Sequence, residues 1–585
     1  MSLLDVDQLA IRYGGEIAVD GISFSVGRGE SVGIVGESGS GKSQTALAVM
    51  GLLPANATVA GDIRFAGTGL IGKSQRAMNE LRARRMAMVF QDPMQALNPF
   101  VSVGGQLTRI LLEHRLATGR EARNRVVEML ERVGLPDAAR QFSAFPHELS
   151  GGMRQRAMIA SALLAGPDLL IADEPTTALD VTVQAQILDL LDEIREDTSL
   201  LLITHDLGIV AGRCERMLVL EKGRLVEEGP TRDVFRQPQH AHTAALLAAA
   251  PRVTVTDFPL PVAGNAIFVV DGAEVTYRVA EGKSLRAVRD VSLAVCGGET
   301  VAVVGESGSG KSSLVRAALG LVPMDAGRVV FCGEQLSAGL KGRDRATRRG
   351  IQLVFQDPAG SLNPQLRVAN AVAEPLIVHE PGLTRAERNE RVGAMLEKVG
   401  LGAEFLQRFP HELSGGQAQR VAIARALILE PKVLVCDEAV AALDGTVRQQ
   451  VLRLLQQVQQ ESGLAIIFIT HDLAVVRAVA HRVVVMYLGS RVEAASNEAL
   501  FSTPRHPYTR ALLDAVPVPD PESPGGRTAV TGEVPSALHP PSGCAFHPRC
   551  PHVADACRSA RPAPSKVGTT TVSCHRAEEL ASARR

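Results

Sequence analysis

Apolar positions along the chain fall into two kinds of run. Short unbroken runs of strand length, at Ser31–Gly36, Leu169–Asp173 and Leu200–Thr204, have the character of strands buried on both faces. Others recur at helical intervals, in Val181–Glu196 between two of those strands and in Lys42–Gly51 directly after a glycine-rich turn. The stretch from Pro93 to Ala165 is mostly of helical pattern and predicts a separate lobe. Strand and helix in alternation predict an α/β layer fold with its ligand site at the carboxyl end of a strand.

The pattern is written twice. Gln91 maps onto Gln356, Ser150 onto Ser414, Glu174 onto Glu438 and His205 onto His471 at a nearly constant offset, and Pro238–Thr243 parallels Pro504–Thr509. Self-similarity over a domain-sized period indicates duplication, not a short-repeat solenoid. At 585 residues the chain is too long for one core. The boundaries expected are 1–251 for a first domain, 252–266 for a linker poor in charge, 267–517 for a second domain and 518–585 for an extension without counterpart in the first half. Lysine and arginine number 62 against 63 acidic residues, so no global field would recruit nucleic acid or anionic lipid. No apolar run approaches 18 residues, and the opening Met-Ser-Leu-Leu-Asp-Val-Asp lacks the layout of a secretion signal. The expectation is a cytosolic protein with reduced thiols, whose contact with any membrane comes through a partner.

Candidate chemistry starts with Gly36-Glu37-Ser38-Gly39-Ser40-Gly41-Lys42-Ser43 and its copy Gly305-Glu306-Ser307-Gly308-Ser309-Gly310-Lys311-Ser312. This spacing is a phosphate cradle: glycines let backbone N–H groups close on a phosphate, the lysine neutralises charge, and the serine hydroxyl ligates Mg²⁺. Two copies mean two nucleotide sites. Each later apolar strand ends in adjacent carboxylates, Asp173-Glu174 and Asp437-Glu438. The first of each pair would hold Mg²⁺ through water and the second would polarise the attacking water. His205 and His471, each in Ile-Thr-His-Asp, stand at a strand end within reach of a γ-phosphate. Leu-Ser-Gly-Gly at 149–152 and 413–416 sets a capping serine and two glycines (Ser150-Gly151-Gly152, Ser414-Gly415-Gly416) before a helix whose N–H groups point at an anion.

In the order P-loop, glutamine, Leu-Ser-Gly-Gly, Asp-Glu, Ala-Leu-Asp and histidine, the set resembles the ATP-binding-cassette (ABC) ATPases over about nine-tenths of the chain. The resemblance implies two tandem P-loop NTPase domains, each with a RecA-like core and a helical lobe. In that family the halves pack head to tail, which would set Lys42 opposite Ser414 and Lys311 opposite Ser150. The resemblance also implies that Gln91 and Gln356 lie at ATP and Mg²⁺, that Asp180 and Asp444 lie beside the nucleotide, and that Tyr13 and Tyr277 stack on adenine, a core or surface tyrosine being the alternative for each. Val-Phe-Gln-Asp-Pro-Met-Gln-Ala-Leu-Asn-Pro (89–99), its relative at 354–364, Phe-Pro-His-Glu-Leu-Ser-Gly-Gly (145–152 and 409–416) and His-Pro-Tyr-Thr-Arg-Ala-Leu-Leu (506–513) are similar to the peptide-uptake branch. This implies a fused pair of ATPase subunits on the inner face of the plasma membrane, energising an importer of di- or oligopeptides. Its partners would be two permeases and an extracytoplasmic solute-binding protein. Nickel, glutathione and oligosaccharide importers are the alternatives. A ribosome-acting tandem ABC protein would carry a long charged linker, and a DNA-repair ATPase a coiled-coil insertion; neither is present. Where the first half reads Asp-Glu-Pro-Thr-Thr-Ala-Leu-Asp (173–180), the second reads Asp-Glu-Ala-Val-Ala-Ala-Leu-Asp (437–444), so both sites are expected to be catalytic while equal turnover stays open.

Of eight cysteines, Cys214, Cys296, Cys332 and Cys436 stand in apolar contexts and read as inert core residues. Cys544, Cys550, Cys557 and Cys574 crowd the last stretch. Their spacing is not the paired pattern of zinc ribbons, and it resembles the extension of the peptide-importer branch, where four such cysteines can hold a [4Fe–4S] cluster. The readings are an iron–sulfur cluster, zinc with help from His547 or His552, and unliganded thiols.

Overall fold

The run Leu169–Asp173 is a strand with every residue buried, in a structure, here a computed structural model, that describes residues 2–37, 39–176, 179–194, 198–249, 264–279, 284–440, 443, 445–522, 532 and 534–582. The chain divides into two units, Met1–Ala250 with Pro517–Ala529, and Pro251–Val516 with Val530–Arg585. Residues 252–263 of the expected linker lie outside the described residues.

In the first unit, Leu169 and Ile171 enter one apolar cluster while Leu170 and Ala172 enter another. Leu201 and Ile203 divide from Leu200 and Leu202 in the same way. A period of two on a strand buried on both faces sorts alternate side chains into two cores. Six strands form this central sheet in the order Arg224–Pro230, Arg216–Glu221, Ser31–Val35, Ser199–Ile203, Leu169–Asp173, Met86–Val89. All neighbours run parallel except the first pair.

One core lies under a four-stranded antiparallel sheet of Glu16–Gly27, Ser2–Tyr13, Ala57–Phe65 and Thr68–Gly69. This sheet is an addition to the expected layers; Leu4 and Val6, each followed by an aspartate, carry part of its signal. The other core runs unbroken from the central sheet into helices Val103–Glu113, Gly119–Arg132 and Gly151–Leu163. The helical stretch expected as a separate lobe thus shares its core with the sheet, because Leu107, Leu111, Val126 and Leu130 pack in the same cluster as Leu170 and Leu202.

The second unit repeats the plan. Val433 and Val435 face one core, Leu434 and Cys436 the other. Its antiparallel sheet is Ser284–Cys296, Ala266–Arg278, Ala326–Phe331 and Glu334–Gln335. Its central sheet has eight strands, because the tail adds two: Thr570–Val572 pairs antiparallel with Ser490–Ser496, and Ser565–Val567 pairs with Thr570–Val572. Residues 534–582 of the expected extension therefore build on the second unit, whereas Pro517–Ala529 groups with the first. Cys214 and Cys436 are buried as expected, but Cys296 is half-buried and Cys332 is exposed. Cys332 occupies a hairpin tip with φ 51°, a left-handed turn that faces solvent rather than core.

Candidate functional site

Each glycine-rich turn lies between a buried strand and the first turn of a helix, Lys42–Met50 in the first unit and Lys311–Ala318 in the second. Gly41 and Gly310 cap these helices at φ 96° and 97°. A Cβ there would stand 2.6 Å from the Ala18 carbonyl oxygen or 2.2 Å from that of Ala287, so only glycine closes the turn. Lys42 Nζ donates to the carbonyl oxygens of Gly36 and Glu37, both at 2.8 Å. Lys311 Nζ does the same to Gly305 at 2.7 Å and Glu306 at 3.0 Å. Both lysines are buried, and their ammonium groups are held by the loops that would cradle a phosphate.

The strand-end carboxylates converge on the same turns. Ser43 Oγ donates to Asp173 Oδ1 at 3.0 Å and Ser312 Oγ to Asp437 Oδ1 at 2.8 Å. Hydroxyl and carboxylate oxygens side by side are the hard donors Mg²⁺ prefers, so this pair fits that ion. Burial pushes the Asp173 carboxyl up to about 6; the Ser43 bond opposes the shift and the Glu174 charge adds to it. Burial also raises Asp437, held back by Ser312 and by the Arg316 guanidinium at 3.8 Å. Arg316 was missed in the sequence, although it lies four residues after Ser312 on one helix face. Its first-unit counterpart is Leu47.

Glu174 and Glu438 adopt φ 45° and 49°, a left-handed backbone in which a non-glycine residue is held by its surroundings. Each receives two neighbours. Gln91 Nε2 donates to Glu174 at 2.9 Å and Gln356 Nε2 to Glu438 at 2.6 Å. His205 Nδ1 lies 3.1 Å from Glu174, and His471 Nδ1 lies 3.4 Å from Glu438. The His471 bond holds Glu438 below the usual carboxylate range against the opposing effect of burial. Glutamine, glutamate and histidine thus meet in each unit.

Tyr13 donates its hydroxyl to Gln44 and Tyr277 donates to Ser313 at 3.2 Å, which ties both rings to the helix that follows the P-loop. Ser150 and Ser414 cap their helices by accepting from Met153 N and Gln417 N at 3.3 Å. A Cβ on Gly152 or Gly416 would stand 2.8 Å from Val183 or Val447, so the second glycine of each motif is a packing requirement. Asp180 precedes helix Val181–Ile194, its carbonyl accepting from Gln184 N at 2.8 Å. Ser38 and Asp444 lie outside the described residues. Buried Gln155 donates to the Pro175 carbonyl, whereas Gln419 Nε2, at the matching position, is buried and has no hydrogen-bond partner among the described residues.

The cysteine tail differs from expectation. Among the described residues no three His, Cys, Asp or Glu side chains form a group able to hold a metal ion. Burial pushes the Cys544 thiol up to about 11 and raises Cys550 and Cys574. His547 Nδ1 is 3.0 Å from the Cys544 carbonyl. The geometry supports neither the iron–sulfur nor the zinc expectation.

The family described as "ABC transporter" matches residues 19–177 and 288–441, more than half of the chain. The family described as "Oligopeptide/dipeptide transporter, C-terminal region" matches 226–264 and 492–557. The glutathione import ATP-binding protein GsiA of Escherichia coli O157:H7 is 44% identical over 564 residues, covering 89% of this chain and 90% of that protein. The Pectobacterium atrosepticum protein of the same name is 44% identical over 544 residues, covering 86% and 87%. Among solved structures, cbiO1 from Clostridium perfringens, described as part of the ABC transporter complex cbiONQ, shares 30% identity over 41% of this chain and 92% of its own, with a TM-score of 0.37.

Proposed function

The chain belongs to the ABC transporter family, and from that membership we propose that it is the ATP-hydrolysing subunit of an importer for small peptides, with glutathione, the cargo in its relatives' names, as first candidate. The observation that carries the reading is the paired constellation of P-loop lysine, Ser–Asp pair and Gln–Glu–His cluster, formed once in each unit.

The roles we assign draw on that geometry and on the family membership. Lys42 and Lys311 exchange their loop carbonyls for the phosphates of ATP. Ser43 with Asp173 and Ser312 with Asp437 would hold Mg²⁺, with Gln91 and Gln356 alongside; the ion would supply neutralisation of phosphate charge when bound. Glu174 and Glu438 accept hydrogen bonding from an attacking water, and His205 and His471 orient those carboxylates. The second-unit carboxylate is kept ionised by its histidine, as a water-polarising group must be. Tyr13 and Tyr277 are assigned to adenine, Ser150–Gly152 and Ser414–Gly416 to γ-phosphate contact, and Asp180 and Asp444 to the nucleotide's flank. We assign 1–251 and 267–517 as the two cassettes, 252–266 as the linker and 518–585 as the extension.

Among the described residues no helix is long and apolar enough to cross a membrane. Membrane contact is assigned to permease partners, and the chain to the cytoplasmic face. A cavity of about 270 Å³ in the second unit, lined by Leu319, Leu321, Leu340, Phe355 and Pro375, supports such a contact. So does Phe100 of the first unit, 87% exposed. Deleting the gene and measuring uptake of radiolabelled glutathione, a dipeptide and Ni²⁺ tests the assignment. Loss of glutathione or dipeptide uptake with Ni²⁺ uptake intact is expected; loss of Ni²⁺ uptake alone would transfer the protein to the nickel alternative.

A further inference from the structure

The P-loops of the two units are alike in sequence but not in what lies behind them. Glu306, second residue of the second P-loop, is 1% exposed, and three of its groups are tethered. Its carbonyl accepts from Lys311 Nζ at 3.0 Å. Its N–H donates to the Tyr508 hydroxyl at 2.9 Å. Its carboxylate accepts both arms of the Arg549 guanidinium, at 2.8 and 3.0 Å. Arg549 lies 243 residues away in the cysteine-rich tail and is 4% exposed. It also donates to the Tyr487 hydroxyl at 3.3 Å, beside a packed cluster of Tyr487, Tyr508 and Phe546.

The first unit is built differently at the matching positions. Its counterparts of Tyr487 and Tyr508 are Glu221 and His242, which lie 3.8 Å apart. The equivalence holds on the flank: His240 N donates to Glu227 at 3.0 Å just as His506 N donates to Glu493 at 2.9 Å. Glu37, the counterpart of Glu306, is only half-buried. Residues that seat the tail thus occur in the half that carries it, and they converge on a loop assigned to hold phosphate.

We propose that Arg549 is a positioning residue for the nucleotide site of the second unit: through Glu306 the tail holds the second P-loop in its binding shape, so the tail sets ATP affinity there and not in the first unit. The inference rests on the nucleotide-site assignment above. A buried carboxylate stripped of its partner is strongly disfavoured, and short of taking up a proton it is relieved when the loop carries Glu306 toward water. That movement displaces the carbonyl that parks Lys311 and the backbone beside it, and phosphate binding depends on such placement.

The test uses the full-length chain and a fluorescent ATP analogue, in two backgrounds that each remove one P-loop lysine. In Lys42→Ala, adding Arg549→Met is expected to weaken the remaining site by about tenfold or more. In Lys311→Ala, the same addition is expected to leave affinity within about twofold, less than one ordinary hydrogen bond is worth. Arg549→Lys, which keeps the charge without the fork, should fall between. If Arg549→Met does not fold by circular dichroism, Arg549→Lys is read alone in the two backgrounds, with weakening confined to Lys42→Ala expected. Unchanged affinity in the Lys42→Ala background, or equal losses in both, would overturn the inference and leave the site assignment standing. Should neither lysine change cost a nucleotide, the assignment and the inference fail together.

Discussion

Asp173→Asn should make the nucleotide-free chain more stable while removing a ligand it needs. The Asp173 carboxyl is pushed from 3.8 to about 6, chiefly by burial. A carboxyl whose pKa is raised on folding is carried at a cost once it ionises, and a rise of this size corresponds to about 3 kcal/mol. The sign is fixed by linkage. Below pH 4 the group is protonated folded and unfolded, and the substitution is neutral. Between pH 4 and 6 the unfolded chain ionises first, so the unsubstituted protein loses stability as pH rises. Above pH 6 the cost is at full size. Asparagine keeps an oxygen for the Ser43 hydroxyl, now at 3.0 Å, and carries no charge. Thermal unfolding in EDTA at pH 7.5 should therefore give Asp173→Asn a higher Tm by on the order of 6 °C, given about 2–4 °C per kcal/mol for a unit of this size. At pH 4.5 the gain should shrink to about a third. A variant no more stable at pH 7.5, or equally favoured at both pH values, would refute the reasoning. Mg²⁺-dependent ATP binding to the first unit should be lost in either case.

Gly310→Ala should destroy ATP binding to the second unit, since the new Cβ at φ 97° would stand 2.2 Å from a backbone carbonyl that cannot rotate away; ATP titration in the Lys42→Ala background checks this. Arg316→Leu gives the second unit the residue the first has at that position. It should raise the Asp437 pKa and move the pH midpoint of Mg²⁺-dependent binding there upward, as the cation at 3.8 Å is removed. His471→Ala removes the largest influence that keeps Glu438 ionised, so the acid limb of second-unit turnover should move to higher pH, and an unmoved limb would contradict the role given to the pair.

The parts legible in the sequence are those where chemistry dictates a fixed local spacing. Gly-x-x-x-x-Gly-Lys-Ser must close a turn around an anion, and the Asp-Glu pair must end a buried strand, so short windows located both. The offset between copies matched Gln91, Glu174 and His205 each to its counterpart, and the structure joins these three at 2.9 and 3.1 Å. What escaped depends on distant partners. The Arg549–Glu306 pair spans 243 residues, and nothing local to Gly-Cys-Ala-Phe-His-Pro-Arg-Cys announces a P-loop as its destination. Cys332 read as core because Val-Val-Phe precedes it, yet the following glycine makes a hairpin tip that faces water. The four clustered cysteines suggested a ligand set through their likeness to the peptide-importer extension, and the described residues form no group able to hold a metal ion.

Equilibrium binding of Mg²⁺·ATP to the chain carrying both Glu174→Gln and Glu438→Gln tests the central claim most directly. Two ATP molecules retained per chain, with phosphate release lowered by about a hundredfold or more relative to the unsubstituted protein, is the result expected when a water-polarising carboxylate is removed from two intact sites. One ATP per chain, or undiminished hydrolysis, would contradict the account.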